Sequence, residues 1–137
     1  MPVRTVAVGP RFGGGGGSGG PFVARAMIPG VLNPGQDVLE NRYSFAAGAR
    51  LSRWHIQAKS SAPAQNVVID VLVSTDGGQT WASIFPEGGR ITLPAGYTEA
   101  EGSNFAVTSF SRDHKLRVDV LNASGADYEF YLSGSWA

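Results

Sequence analysis

A chain of 137 residues, 42% apolar and 16% charged, carries enough material for one buried core and too little for two comfortable ones. Eleven Lys and Arg balance eleven Asp and Glu, so no excess positive charge draws it to nucleic acid or to an anionic membrane. The absence of cysteine excludes disulfides, thiolate metal sites and a cysteine nucleophile.

Weak self-repulsion follows from the low charge and suits a protein that packs against copies of itself. The start, "MPVRTVAVGP", lacks the apolar run of a signal peptide, so synthesis in the cytoplasm without a leader is expected. Residues 1–36 hold "GPRFGGGGGSGGP" and "IPGVLNPGQ", Gly and Pro punctuation with few periodic apolar positions. Consecutive glycines have the most backbone entropy to lose on ordering and no side chains to offset it. An extended arm held by a neighbouring subunit or partner is therefore expected there, with Val3, Val6, Val8, Phe12 and Phe22 as its apolar anchors.

From Asp37 onward the period is two, and residues 37–137 are expected to form one domain. "RYSFAA" is a short candidate strand. In "LSRWHIQA", Trp54, Ile56 and Ala58 alternate with Arg53, His55 and Gln57. "NVVIDVLVS" sets Val67, Ile69, Val71 and Val73 on one face. "WASIFP", "RITLP" and "NFAVTSF" are further short candidates. "HKLRVDVLN" opposes Leu116, Val118 and Val120 to Lys115, Arg117 and Asp119, and "DYEFYLSGSW" aligns Tyr128, Phe130 and Leu132. Alternation of this kind is what a sheet with one buried face requires. The clusters "SSAPAQ", "EGG", "PAGYTEAEGS" and "NASGAD" read as turns. The pattern predicts an all-β, antiparallel β-sandwich, jelly-roll-like with an immunoglobulin-like arrangement as the alternative.

Between two of these strands, Ser74, Asp76, Gly78, Thr80 and Trp81 match S-x-D-x-G-x-T-W. The run resembles the Asp-box, or BNR repeat, of sialidases and related β-propellers. In those families it is a structural fastener repeated at blade spacing; here it occurs once, in a chain too short for a propeller. Its mechanics are local: Gly77 and Gly78 can take positive φ, and the Asp76 carboxylate can accept turn amides. The motif marks a hairpin and not an active site.

Other constellations carry less. Ser111, Asp113 and His114 lack a nucleophile elbow, and adjacent residues of an extended chain face opposite ways. His55 and His114 have no zinc-ligand spacing. Glu99, Glu101 and Asn104 fall short of a calcium loop. "GGGGGSGG" lacks the Lys-Ser/Thr of a phosphate loop. No catalytic residue, cofactor or metal is expected, and no enzymatic activity. Tyr97, Tyr131 and Trp136 are the aromatics that could stack on a sugar ring.

The closing run "KLRVDVLNASGADYEFYLSGSW", taken with the hairpin and the Gly-rich arm, resembles the capsid decoration (cement) proteins of tailed bacteriophages, and more distantly tail and fibre modules. The resemblance covers about a third of the chain. It implies a non-enzymatic virion structural protein that binds the major capsid protein as a homo-oligomer, commonly a trimer. The alternatives are a tail, fibre or head-spike component and a carbohydrate-binding module.

Overall fold

The computed structural model describes residues 11–15 and 20–137, with side chains from residue 20 onward. Its elements are β1 (Arg11–Gly15), β2 (Pro21–Val31), β3 (Tyr43–Ser44), β4 (Ala49–Ala58), β5 (Val67–Ser74), β6 (Ala82–Ser83), β7 (Ile91–Leu93), β8 (Glu99–Gly102), β9 (Ser109–Phe110), β10 (Lys115–Asn122) and β11 (Ala126–Trp136). One sheet has the order β1-β2-β11-β4-β8, with β9 also on β4. The other runs β3-β10-β5-β6, with β7 also on β5. All pairings are antiparallel.

The chain changes sheet between β2 and β3, β3 and β4, and β4 and β5, then stays for β6 and β7 before crossing to β8. It crosses again to reach β10 and once more to reach β11, which lies between β2 and β4. First and last long strands paired at the centre of one sheet, with alternate crossovers, make a jelly roll and not an immunoglobulin arrangement.

The alternating apolar sets meet between the sheets. Val67, Ile69, Val71, Leu116, Val118 and Val120 of one face Ala24, Ala26, Ile56, Phe130 and Leu132 of the other, all buried. One end is closed by rings: Phe45 stacks on Phe22 at 5.5 Å and on Phe110 at 4.8 Å, and Trp136 meets Phe22 edge-on at 4.9 Å.

Three expectations are corrected here. The boundary at residue 36 falls in the wrong place, because Pro21–Val31 is an eleven-residue strand inside the first sheet. Its buried face is Phe22, Ala24, Ala26 and Ile28, and the two small alanines conceal the period. Part of the arm is also gripped by its own fold: Gly13 pairs with Arg25 and Gly15 with Val23. Within the expected turn "PAGYTEAEGS", Glu99–Gly102 pairs with β4 as β8. Gly102 is what permits it, since a Cβ there would sit 2.6 Å from the Trp54 ring.

Candidate functional site

The S-x-D-x-G-x-T-W run closes the β5–β6 hairpin by a dense set of local bonds. Gly77 and Gly78 take φ of 79° and 99°, a region that L side chains rarely occupy. The Ser74 hydroxyl donates to Asp76 Oδ1 at 2.7 Å and accepts the Gly78 N–H at 2.8 Å. Asp76 Oδ1 also accepts the N–H groups of Gln79 (3.1 Å) and Thr80 (2.9 Å), and Oδ2 takes the Thr80 hydroxyl. The Thr80 hydroxyl and N–H, then the Ser74 hydroxyl, hold the Asp76 carboxyl well below the usual carboxylate range. Trp81 folds back so that its indole N–H donates to Gly78 O at 3.1 Å.

A circuit of charges ties this hairpin to the sandwich. The Trp81 ring lies under the Arg42 guanidinium at 4.9 Å and near that of Arg117 at 5.2 Å. Arg42 pairs with Asp37 at 2.8 Å, and the Asp37 N–H donates to Asp119 Oδ1 at 2.9 Å. Arg117 returns to Asp119 at 3.2 Å and closes the loop. Both Asp76 oxygens accept hydrogen bonds within their own turn, so the run works as a clasp on the β5–β6 hairpin.

The outer face of the first sheet carries a row of polar side chains. Arg25, Tyr131, His55 and Glu101 stand in register across β2, β11, β4 and β8. The Tyr131 and His55 rings stack at 5.1 Å and 14°, and the Arg25 guanidinium lies 5.5 Å from the Tyr131 centroid. Tyr131 thus sits in a shallow hollow lined also by Arg25, His55, Val23, Arg53 and Ser133. The polar groups around it are partnered: Arg53 with Glu101, His55 Nε2 with Glu99 at 3.0 Å, and Glu129 with both Arg25 (3.3 Å) and Lys59 (3.5 Å).

The remaining sequence-derived residues scatter. Trp136 is only 8% exposed and belongs to the ring cluster around Phe22, so its expected sugar contact is corrected. Phe22 is fully buried as a core residue of β2, which corrects its expected role as an arm anchor. Phe12 lies in β1, whose side chains are not described, and Val3, Val6 and Val8 lie outside the described residues. Tyr97 is 61% exposed after the turn at Gly96. His114 Nδ1 accepts the Ser111 N–H at 3.0 Å and Asp113 adopts φ 72°, so these two residues and Ser111 build a turn and not a proton relay. Among the described residues no group of three or more His, Cys, Asp or Glu converges as metal ligands would.

A feature that sequence reasoning missed lies at the far end of β2. Asp127 (φ 62°) and Gly30 (φ 80°) form an irregularity between β11 and β2, where Asp127 Oδ1 accepts the Gly30 N–H at 2.7 Å and Oδ2 takes the Ser60 hydroxyl. That N–H and that hydroxyl lower the Asp127 pKa. The kink leaves Met27, Pro29 and Val31 as an exposed apolar ridge, with Met27 43% and Val31 72% accessible. Beside the ridge is a hollow of about 340 Å³ lined by Met27, Ile28, Pro29, Tyr128, Lys59 and Asp127 among others. The signal available in sequence was Pro29-Gly30 after an apolar run, a turn dipeptide that the reading assigned to the arm.

No family model matches the chain, and no curated protein matches it. Among solved structures it is similar to a cupin domain from Bordetella pertussis, at 14% identity over 94% of this chain and 95% of that one, with a TM-score of 0.32. It is also similar to a variant of a family 29 carbohydrate-binding module, at 11% identity over 93% of this chain and 82% of that one, with a TM-score of 0.33. At these scores neither likeness carries an argument about what the protein binds or does.

Proposed function

We propose that the chain is a non-enzymatic structural subunit of a bacteriophage particle, of the capsid decoration kind, binding the major capsid protein as a homo-oligomer with a trimer favoured. One observation carries the reading: among the described residues the glycine strand β1 is the outermost strand of the first sheet and pairs on one side only. An unpaired edge of N–H and C=O groups is a template for a strand from another chain, and glycines let that chain approach closely. The consumption of Asp70, Asp76, Asp119, Asp127 and Glu129 in internal pairs supports a contact protein over a reaction site. Contacts of modest strength suffice on a symmetric particle, where each is repeated.

Immunogold electron microscopy of particles containing the protein tests the reading. Label in regular clusters on the head surface, together with a solution mass of several protomers, is the expected result. Label confined to tail fibres or spikes replaces it with a host-attachment role, and absence from particles overturns it. Deleting residues 1–19 should abolish head binding while leaving the β2–β11 sandwich folded; unchanged binding removes β1 as the contact edge.

A further inference from the structure

The hollow around Tyr131 is a grid set by strand register. Arg25, Tyr131 and His55 form one outward row across β2, β11 and β4, and Val23, Ser133 and Arg53 form the next. Together they line a space of about 250 Å³. Ser133 has the smallest side chain among them, so the surface dips at the centre of the second row. Towards β1 the rows continue as Gly13 and Gly15, which bring no side chain to close the dip. The charged side chains of the lining are Arg25 and Arg53, and no carboxylate is among them. Their ion pairs leave donors over: Arg25 approaches Glu129 with Nε and Arg53 reaches Glu101 with one terminal nitrogen, whereas a guanidinium has five N–H groups. Arg50, exposed in the following row opposite Ser135, adds a further guanidinium and makes none of the ion pairs among the described residues.

The floor of the hollow decides the shape of its occupant. β11 is paired on both sides, with β2 and β4, so its main-chain groups are committed and no peptide can add to it as a strand. Recognition must go through side chains: guanidiniums for an anion, the Tyr131 and Ser133 hydroxyls for hydroxyls, Val23 for a small apolar face. The volume lies below the roughly 300–1,000 Å³ of sites that take drug-sized molecules, which limits the body to about one ring. We propose that this hollow binds a sugar acid, a single hydroxylated ring whose carboxylate is held between Arg25 and Arg53. The two arginines stand at opposite corners of the grid, two strand spacings and two residues apart, or about 12 Å between Cα atoms by strand geometry. Two long side chains can close that distance over Ser133. A carboxylate is ionised at neutral pH and takes guanidinium hydrogen bonds stronger than those of a neutral sugar's hydroxyls. The site is separate from the open edge of β1 and does not depend on assembly.

NMR titration of the isolated full-length protein tests this. The chain has two histidines and four tyrosines, so the ring signals of His55 and Tyr131 can be assigned by elimination. Glucuronate, glucose and acetate are titrated in turn at fixed pH and low salt. Glucuronate should shift the His55 and Tyr131 signals with an affinity at least about tenfold above that of glucose or acetate. Arg53→Gln should weaken it about tenfold, and this variant strands no buried charge because Glu101 is exposed. Ser133→Val, which fills the dip without altering charge, should weaken it to a similar degree, the amide spectrum of each variant reporting that it is folded. Equal affinity for glucose removes the carboxylate from recognition, equal affinity for acetate removes the ring, and either result overturns the proposal. Glucuronate binding that is unchanged in both variants overturns it too, by placing the ligand elsewhere, as does the lack of any shift with glucuronate.

Discussion

Asp70 and Asp119 stand directly opposite one another across β5 and β10, both buried, and each is held by its own arginine. Arg90 Nε lies 3.0 Å from Asp70 Oδ2, and Arg117 Nε lies 3.2 Å from Asp119 Oδ1. The Ser83 hydroxyl and the Asp37 N–H complete the two carboxylates. Like charges facing each other on one side of a sheet are destabilising, so the pair is tolerable only with both guanidiniums present.

Removing one partner therefore costs more than the pair itself contributes. Arg117→Ala should destabilise the fold by about 2–4 kcal/mol in urea denaturation, because an uncompensated buried carboxylate remains beside a second one. Adding Asp119→Asn to that variant should restore a large part of the loss. A double variant as unstable as the single one would show that Arg117 acts by packing on Trp81 and not by charge.

The corrected position of Phe22 gives a sharp contrast between two roles. As an arm anchor its loss would spare folding and weaken only attachment. As a fully buried ring between Phe45, Tyr43 and Trp136 it should behave as core, and Phe22→Ala should cost about 3–5 kcal/mol. Thermal unfolding of the isolated protein decides between them without any partner present.

That contrast also shows where the sequence was legible. The runs around Ile69, Val118 and Phe130 have bulky residues at every inward position, so their period of two is plain and their strands stand as read. β2 uses Ala24 and Ala26 inward and Val23 and Met27 outward, which inverts the usual contrast between faces and hides a central strand. β8 is legible only with its partner, since Glu99 and Glu101 become strand residues by pairing with His55 and Arg53 across the sheet. The Asp76 turn was readable because its bonds lie within seven residues of chain. The ridge and hollow were not, because Lys59, Met27 and Asp127 meet only after the jelly roll closes.

The Asp76 turn predicts a specific acid response. Its folded pKa is depressed, so its contribution is present above the unfolded value and is lost as pH falls through the folded one. At neutral pH, Asp76→Asn should unfold at lower urea concentration than the native chain, since an amide accepts the Gln79 and Thr80 N–H groups less strongly. The gap between the two midpoints should narrow as pH is lowered beneath the ordinary carboxylate range. A gap that stays constant with pH would show that the Asp76 charge contributes nothing to the clasp.

Gly134 gives the most severe single-site expectation. It sits at the irregularity where β11 shifts register against β4, and a Cβ built there would lie 1.8 Å from Arg50 O. The obstacle is backbone, which cannot swing aside as a side chain can, so Gly134→Ala must pry apart the central pair of the first sheet. A loss of about 3 kcal/mol or more is expected, with poor soluble yield. Gly77→Ala offers the control: it has open space around the added methyl and only its positive φ of 79° to strain, so its cost should be about 1 kcal/mol. Equal stability of the two variants, measured by urea denaturation, would mean that β11 and β4 separate at Gly134 without cost and that the close approach does not hold the sheet's register.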